Sequence, residues 1–251
     1  MSTKEERKIS AGSYDLNKWL FGGYEKDIIS MIAGPAGSGK TNFVLLASVS
    51  QAKKDKKVIF VDTEGGFSIE RVKQLVPDEF EKILENILLL KPTNFDEQKK
   101  DFLKLLNLLK KEQNNIGLIV IDGMTMLYRL EIGDARNDKN EKDDEKVKEI
   151  NRELAKQMRI LAEIARKQNI PILITNQVYS EFLSEEELKK GVEKQVHLVG
   201  GDLLKYWSKC IIELRNEKGK KKAILLKHRS LPEKTLDFEI TNNGIRKRGW
   251  I

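Results

Sequence analysis

The stretch IISMIAGPAGSGKTNFVLLASVSQAKK, residues 28–54, decides the fold because three signals follow one another in it. IISMIAG (28–34) is a short apolar run with the character of a buried strand. TNFVLLASVSQAKK (41–54) carries helical spacing. Between them, GPAGSGKT (34–41) fits G-x-x-x-x-G-K-[ST]. Gly34, Gly37 and Gly39, spaced by Pro35, Ala36 and Ser38, permit a turn whose backbone N–H groups converge on phosphate oxygens at the positive start of a helix. Lys40 reaches toward β and γ phosphates, and Thr41 offers a hydroxyl to Mg2+. The expected ligands are therefore ATP and Mg2+. The competing reading is a glycine-rich turn with an accidental Lys-Thr.

Outward from this unit the chain alternates strands and helices. KVIFVD (57–62), GLIVIDG (117–123) and IPILITNQV (170–178) read as buried strands, apolar without alternation, as in a sheet covered on both faces. EKILENILLLKP (81–92) reads as a helix end feeding a strand. FDEQKKDFLKLLNLLKKEQ (95–113) is an amphipathic helix with Phe102, Leu105, Leu106 and Leu109 on one stripe, and 147–169 is a long helix closed by Asn169 and Ile-Pro. Beyond Gly200, CIIELRNEKGKKKAILLKHR and LDFEITNNGI read as hairpin strands. The expected class is α/β: a mostly parallel central sheet with antiparallel C-terminal strands, in a single domain over 1–251. Residues 1–10 read as a polar arm. EIGDARNDKNEKDDEKVK (131–148) has almost no apolar residue and reads as a mobile loop, as does the insertion after 178, which holds a short helix over 184–190.

Carboxylates stand where strands end. Asp122 closes LIVID, at the tip of a parallel strand where it holds Mg2+ through water; an ordinary turn Asp is the alternative. IFVDTEGG (59–66) supplies two candidates for general base. Glu64 is favoured for its reach toward a γ phosphate, with Asp62 fixing the turn. Asn176 and Gln177 end another strand, where Gln177 either senses the γ phosphate or is a polar strand terminus.

The balance of 46 basic against 39 acidic residues leaves a net charge of +7, which fits a polyanion partner without requiring one. Cys210, the one cysteine, excludes an internal disulfide and suggests a buried thiol in a reducing compartment. No apolar run approaches the roughly 20 residues that span a bilayer, and the start lacks a signal-peptide apolar segment, so a cytoplasmic protein away from membranes is expected.

In this order, the segments resemble the RecA/Rad51 recombinase superfamily, and within it the short archaeal paralogues. ISAGSYDLNKWLFGG is similar to the family's entry segment, GPAGSGKT to its phosphate loop and FVDTEGGFSIERV to the strand carrying its catalytic glutamate. LIVIDGMTMLYR resembles its magnesium-site strand, ILITNQV its sensor strand, LVGGDLLKYWS the turn after its second DNA loop and RSLPEKTLDFEITNNGI its nucleotide cap. The resemblance implies a RecA-like P-loop ATPase core, with Glu64 activating water, Gln177 sensing the γ phosphate and Arg71 flanking adenine. It places DNA loops at 129–148 and 178–199. Clusters such as EKDDE (141–145) and SEEE (184–187) repel phosphate there, so autonomous strand exchange is not expected. Neither a helix-hairpin-helix domain nor a polymerisation peptide is expected before the core. The resemblance implies a DNA-binding accessory factor of repair and recombination with weak, Mg-dependent ATPase. DNA, the main archaeal recombinase and a Holliday-junction resolvase are the implied partners, and a homodimer is compatible with it. The rival is an ATP-dependent switch or scaffold that does not bind DNA.

EKGKKKAILLKHRSLPE (217–233) stays open among three readings: DNA contact, a neighbour's nucleotide, or a solvated face. Lys220, Lys221, Lys222, Lys227, His228 and Arg229 are the DNA candidates. RKR (246–248) is expected to widen the same patch.

Overall fold

In the strand Lys57–Asp62, Val58 and Phe60 join one apolar cluster, while Ile59 and Val61 join another. Successive side chains point to opposite faces of a sheet, so this segment lies between two cores. The computed structural model describes residues 7–112, 115–137, 143–180, 196–217 and 219–249.

The sheet is built from β3 (Ile29–Gly34), β4 (Lys57–Asp62), β5 (Ile87–Leu90), β6 (Ile116–Asp122), β7 (Ile172–Ser180), β9 (Ser208–Glu217), β10 (Lys220–His228), β11 (Lys234–Thr241) and β12 (Gly244–Lys247). Its order is β12-β11-β10-β9-β3-β7-β6-β4-β5, with β8 (Val196–Leu198) antiparallel on β7. From β5 to β9 the strands run parallel, and from β9 to β12 antiparallel. The expected α/β class holds, with a mixed sheet consistent with a RecA-like core.

One face is covered by α1 (Tyr14–Trp19), α2 (Lys40–Ala52), α3 (Ile69–Leu75) and α4 (Phe80–Glu85) through Leu16, Phe43, Leu46, Val72 and Ile83. The other is covered by α5 (Phe95–Lys111), α7 (Asp143–Gln168) and α8 (Gly201–Trp207) through Phe102, Leu105, Leu154, Met158, Leu161 and Leu204. Phe102, Leu105 and Leu109 are buried and Leu106 is partly buried, the stripe expected of α5. Cys210 is buried, and burial pushes its thiol up to about 12.

Two segments differ from expectation. The region 131–148 is helical over 131–137, the end of α6 (Met126–Asn137), and again from Asp143. Its few apolar residues suffice because Ile132 and Ala135 stand one helical turn apart and, with Val147 and Ile150, close a small cluster around Phe95 and Leu127. The polar arm is structured at its end: β1 (Lys8–Ile9) pairs with β2 (Tyr24–Glu25), and Ile9 is buried. Residues 1–6, 138–142 and the expected helix 184–190 lie outside the described residues.

Candidate nucleotide site

Parallel register brings the carboxyl ends of the strands to one edge of the sheet. Gly34 of β3 is level with Gln177 of β7, and Asp62 of β4 with Asp122 of β6. The glycine-rich turn leaves β3 at this edge and enters α2, with Pro35, Ala36 and Gly37 exposed. Gly39 takes φ +108° at the start of α2 and gives no side-chain cap, so the first N–H groups of that helix are left to other acceptors. A Cβ at Gly34 would come within 2.7 Å of Leu214 O and Ser38 Oγ, which keeps glycine there.

Lys40, 6% exposed, folds back over the turn and donates to Gly34 O and Pro35 O, both at 3.0 Å. Burial lowers its pKa, against the opposing charges of Glu64 and Asp122. Asp122 is 1% exposed and accepts from Thr41 Oγ1 at 2.8 Å and Thr175 Oγ1 at 2.6 Å. Its carboxyl is held above the usual range by burial; the two threonine bonds work against that shift, and the charges of Glu64 and Asp62 add to it.

Asp62 and Glu64 stand in different surroundings. Asp62 is buried and accepts from the N–H groups of Gly66 (3.0 Å) and Phe67 (2.9 Å), so it fastens the turn after β4. Glu64 is exposed, and its Oε1 accepts from Gln177 Nε2 at 3.1 Å. Thr63 ties the strand ends together by donating to the carbonyls of Asp122 (3.0 Å) and Gly123 (2.8 Å). Asn176 is fully buried between Thr125 and Val199, whereas its neighbour Gln177 extends to Glu64 at the site.

Arg71 has a connecting position. It donates to Asn42 Oδ1 (2.9 Å), Gln74 Oε1 (3.0 Å), Thr241 O (2.8 Å) and Asn242 O (3.2 Å), joining α2 and α3 to the β11–β12 turn.

The basic candidates separate, which corrects the single patch expected for them. Lys220–Lys222 pair with Glu217–Arg215 of β9, beyond the carboxyl end of β3, while Lys227 and His228 pair with Ile211 and Cys210 toward its start. Lys247 lies across Phe238 from Lys221, so the 246–248 stretch adjoins 220–222 and not 227–229. Arg229 donates both Nη groups to Asp27 at 2.7 and 2.5 Å, and its Nε lies 2.8 Å from Glu25 Oε2. His228 Nδ1 accepts from the N–H groups of Ser230 and Leu231, and burial lowers its pKa. Lys227 donates to Lys205 O at 2.7 Å, and Lys221 to Gly37 O at 2.6 Å.

Sequence reasoning passed over Thr63, Thr175 and Gly66. Thr175 precedes the Asn-Gln pair that drew attention, and only the alignment of Ile121 with Ile174 sets it against Asp122.

A strand–turn–helix opening a parallel sheet, with carboxylates and a glutamine gathered at the strand tips, is common ground for comparison with known proteins. The Rad51 family model matches residues 3–248, and the chain belongs to that family. Within it the chain is homologous to archaeal RadB proteins. It is 41% identical over 245 residues to the DNA repair and recombination protein RadB of Methanobrevibacter smithii, covering 96% of this chain and 97% of that protein. It is 39% identical over 248 residues to the protein of the same name from Methanosphaera stadtmanae, with 98% of each covered. Against that of Methanothermobacter thermautotrophicus the identity is 34% over 244 residues, with 96% of each covered.

Proposed function

We infer that this chain is an ATP-binding, DNA-binding accessory factor of DNA repair and recombination, with a weak ATPase. The observation that carries the reading is the meeting of four strand tips at one edge: the 34–41 turn, Glu64, Asp122 and Gln177. The RadB relatives, named as DNA repair and recombination proteins, supply the repair and recombination context.

In this reading, the turn and the uncapped start of α2 bind the phosphates through backbone N–H groups. Lys40 exchanges its two carbonyl partners for phosphate oxygens, a gain because bonds between charged partners are the stronger. Glu64 orients and deprotonates the attacking water, and Gln177, already bonded to it, registers the γ phosphate. Asp62 contributes only the shape of the turn.

The residues fit a magnesium ion. Thr41 Oγ1 and Asp122 Oδ2 are hard oxygen donors, and a Cβ on Gly66 would approach them to 3.2 and 3.4 Å, so glycine keeps the space beside them clear. Thr41 would hold the ion directly and Asp122 through water, and the ion would neutralise charge on the β and γ phosphates. Among the described residues no cluster of three or more His, Cys, Asp or Glu forms a separate metal site.

Lys220, Lys222 and the neighbouring 246–248 stretch form the DNA surface in this reading. Among the described residues no helix is long and apolar enough to cross a membrane. A nucleotide titration of wild type and Lys40→Ala, followed by a DNA anisotropy series over salt concentration, tests both halves. ATP affinity unchanged by the substitution would overturn the nucleotide reading. DNA affinity independent of salt would overturn the DNA reading.

A further inference from the structure

Three consecutive lysines on a β-strand do not share a face. Lys221 is directly across from Phe238, whose ring packs on Phe43 of α2 with centroids 5.2 Å apart. Lys221 therefore projects on the α2 side of the sheet, beneath which the 34–41 turn lies. Lys220 and Lys222 project on the other side, where Lys222 Nζ is 3.6 Å from Glu217. Half-buried Lys221 donates from Nζ to Gly37 O at 2.6 Å. Gly37 is an exposed residue of the turn, at φ +70° with open space where a Cβ would stand. The same hairpin is held in register with the turn a second time, because a Cβ at Gly39 would come within 2.8 Å of Ile240 Cδ1.

We propose that Lys221 is a nucleotide-binding residue, acting in cis as a second cation for the phosphates beside Lys40, and that it is not a DNA contact. The inference rests on the reading that the turn holds ATP. Two ammonium groups are now held by carbonyls of one turn, Lys40 by Gly34 and Pro35 and Lys221 by Gly37. Neutral carbonyls are weaker partners for an ammonium than phosphate oxygens are. An arriving polyphosphate draws both lysines, and the draw on Lys221 grows with the number of phosphates. The pleat of β10 divides the labour within KKK: the middle lysine serves the nucleotide, and its neighbours face away from it.

The test is titration of ATP, ADP and AMP, with Mg2+, against wild type, Lys221→Met, Lys221→Arg and Lys222→Met, each with its melting temperature. Lys221→Met weakens ATP by roughly 5- to 30-fold, ADP less and AMP least, with the melting temperature unchanged. Lys221→Arg restores most of the affinity, Lys222→Met leaves it intact, and added salt narrows the gap between Lys221→Met and wild type. Equal ATP affinity for Lys221→Met and wild type at low salt overturns the proposal. So does an equal loss for all three nucleotides together with a lower melting temperature, which would make Lys221 a clip for the hairpin alone. Lys40→Ala separates the two readings. If it loses ATP while Lys221→Met does not, only this inference fails; if it binds ATP normally, the nucleotide site itself fails.

Discussion

Lys221, near one end of β10, and Arg229, just past the other, carry the same charge and are engaged in opposite ways. At the end near the turn, Lys221 reaches a neutral carbonyl that a phosphate can replace. At the other end, roughly 25 Å along the strand, Arg229 is already bound to the carboxylates of Asp27 and Glu25. A cation on a carbonyl is available to an incoming anion; one clamped between two carboxylates must first give up a favourable pair. Basic residues therefore cannot be weighed by counting them. What counts is the partner each would relinquish.

The comparison breaks first at the site end. Lys40→Ala should weaken ATP binding on the order of 100-fold or more while the fold survives, because the ammonium that would meet the phosphates is replaced by a methyl group and its present partners are only the two turn carbonyls and nearby carboxylate charge. Calorimetric titration together with a far-ultraviolet spectrum checks both parts. Glu64→Gln should lower turnover roughly 100-fold or more with ATP affinity retained. Asp62→Ala should instead cost about 1–3 kcal/mol of stability, since it takes a charged acceptor from the N–H groups of Gly66 and Phe67 and loosens the turn. Single-turnover phosphate release and urea unfolding on the pair distinguish the two carboxylates. Similar losses of turnover without destabilisation would contradict the division of roles.

The sequence made the strands of the central sheet legible because both of their faces are buried, and a continuous β-branched run has few other uses. The turn at 34–41 was legible because its glycines, lysine and threonine lie next to one another. What stayed hidden depends on long-range register or on pleat phase. Thr175 meets Asp122 only once β6 and β7 are aligned. KKK has the same residue at every position, so alternation gave no hint that Lys221 and Lys222 part. The helices at 126–137 and 143–148 were obscured by charge, since so small a cluster as Phe95, Leu127, Ala135 and Ile150 needs few apolar residues.

Further along β10 the expected effects become smaller. Arg229→Ala should cost about 1–3 kcal/mol, because Glu25 is left buried without the guanidinium 2.8 Å from its Oε2. DNA affinity should change little. The double variant Lys220→Ala/Lys222→Ala should do the reverse: stability nearly unchanged, and the slope of log affinity against log salt shallower by up to roughly one unit for each phosphate that no longer meets a lysine. Anisotropy salt series and denaturant unfolding on the two variants give a crossed pattern. If Arg229→Ala flattens the salt slope instead, the far end of β10 is a DNA surface after all.

The smallest effect belongs to Asp27, and its pH dependence sharpens the contrast. The Arg229 guanidinium, bonded to both carboxylate oxygens, holds the Asp27 pKa below its ordinary value; partial burial opposes that shift, and the nearby charge of Arg166 assists it. The folded protein therefore binds fewer protons at this group than the unfolded chain does. That contribution to stability is fully present above the ordinary value of about 4 and is lost as pH falls through the lower folded value. Asp27→Asn removes it. Both partners are nearly half exposed and Glu25 still holds Arg229, so the loss at neutral pH should be about 0.2–1 kcal/mol. The difference between wild type and variant should stay level from pH 8 to about 5 and narrow below about 4. Urea unfolding of both proteins at pH 7 and pH 3 measures it. A gap that persists or widens at pH 3 would mean that Asp27 stabilises the fold through packing and that its charge is not what holds Arg229.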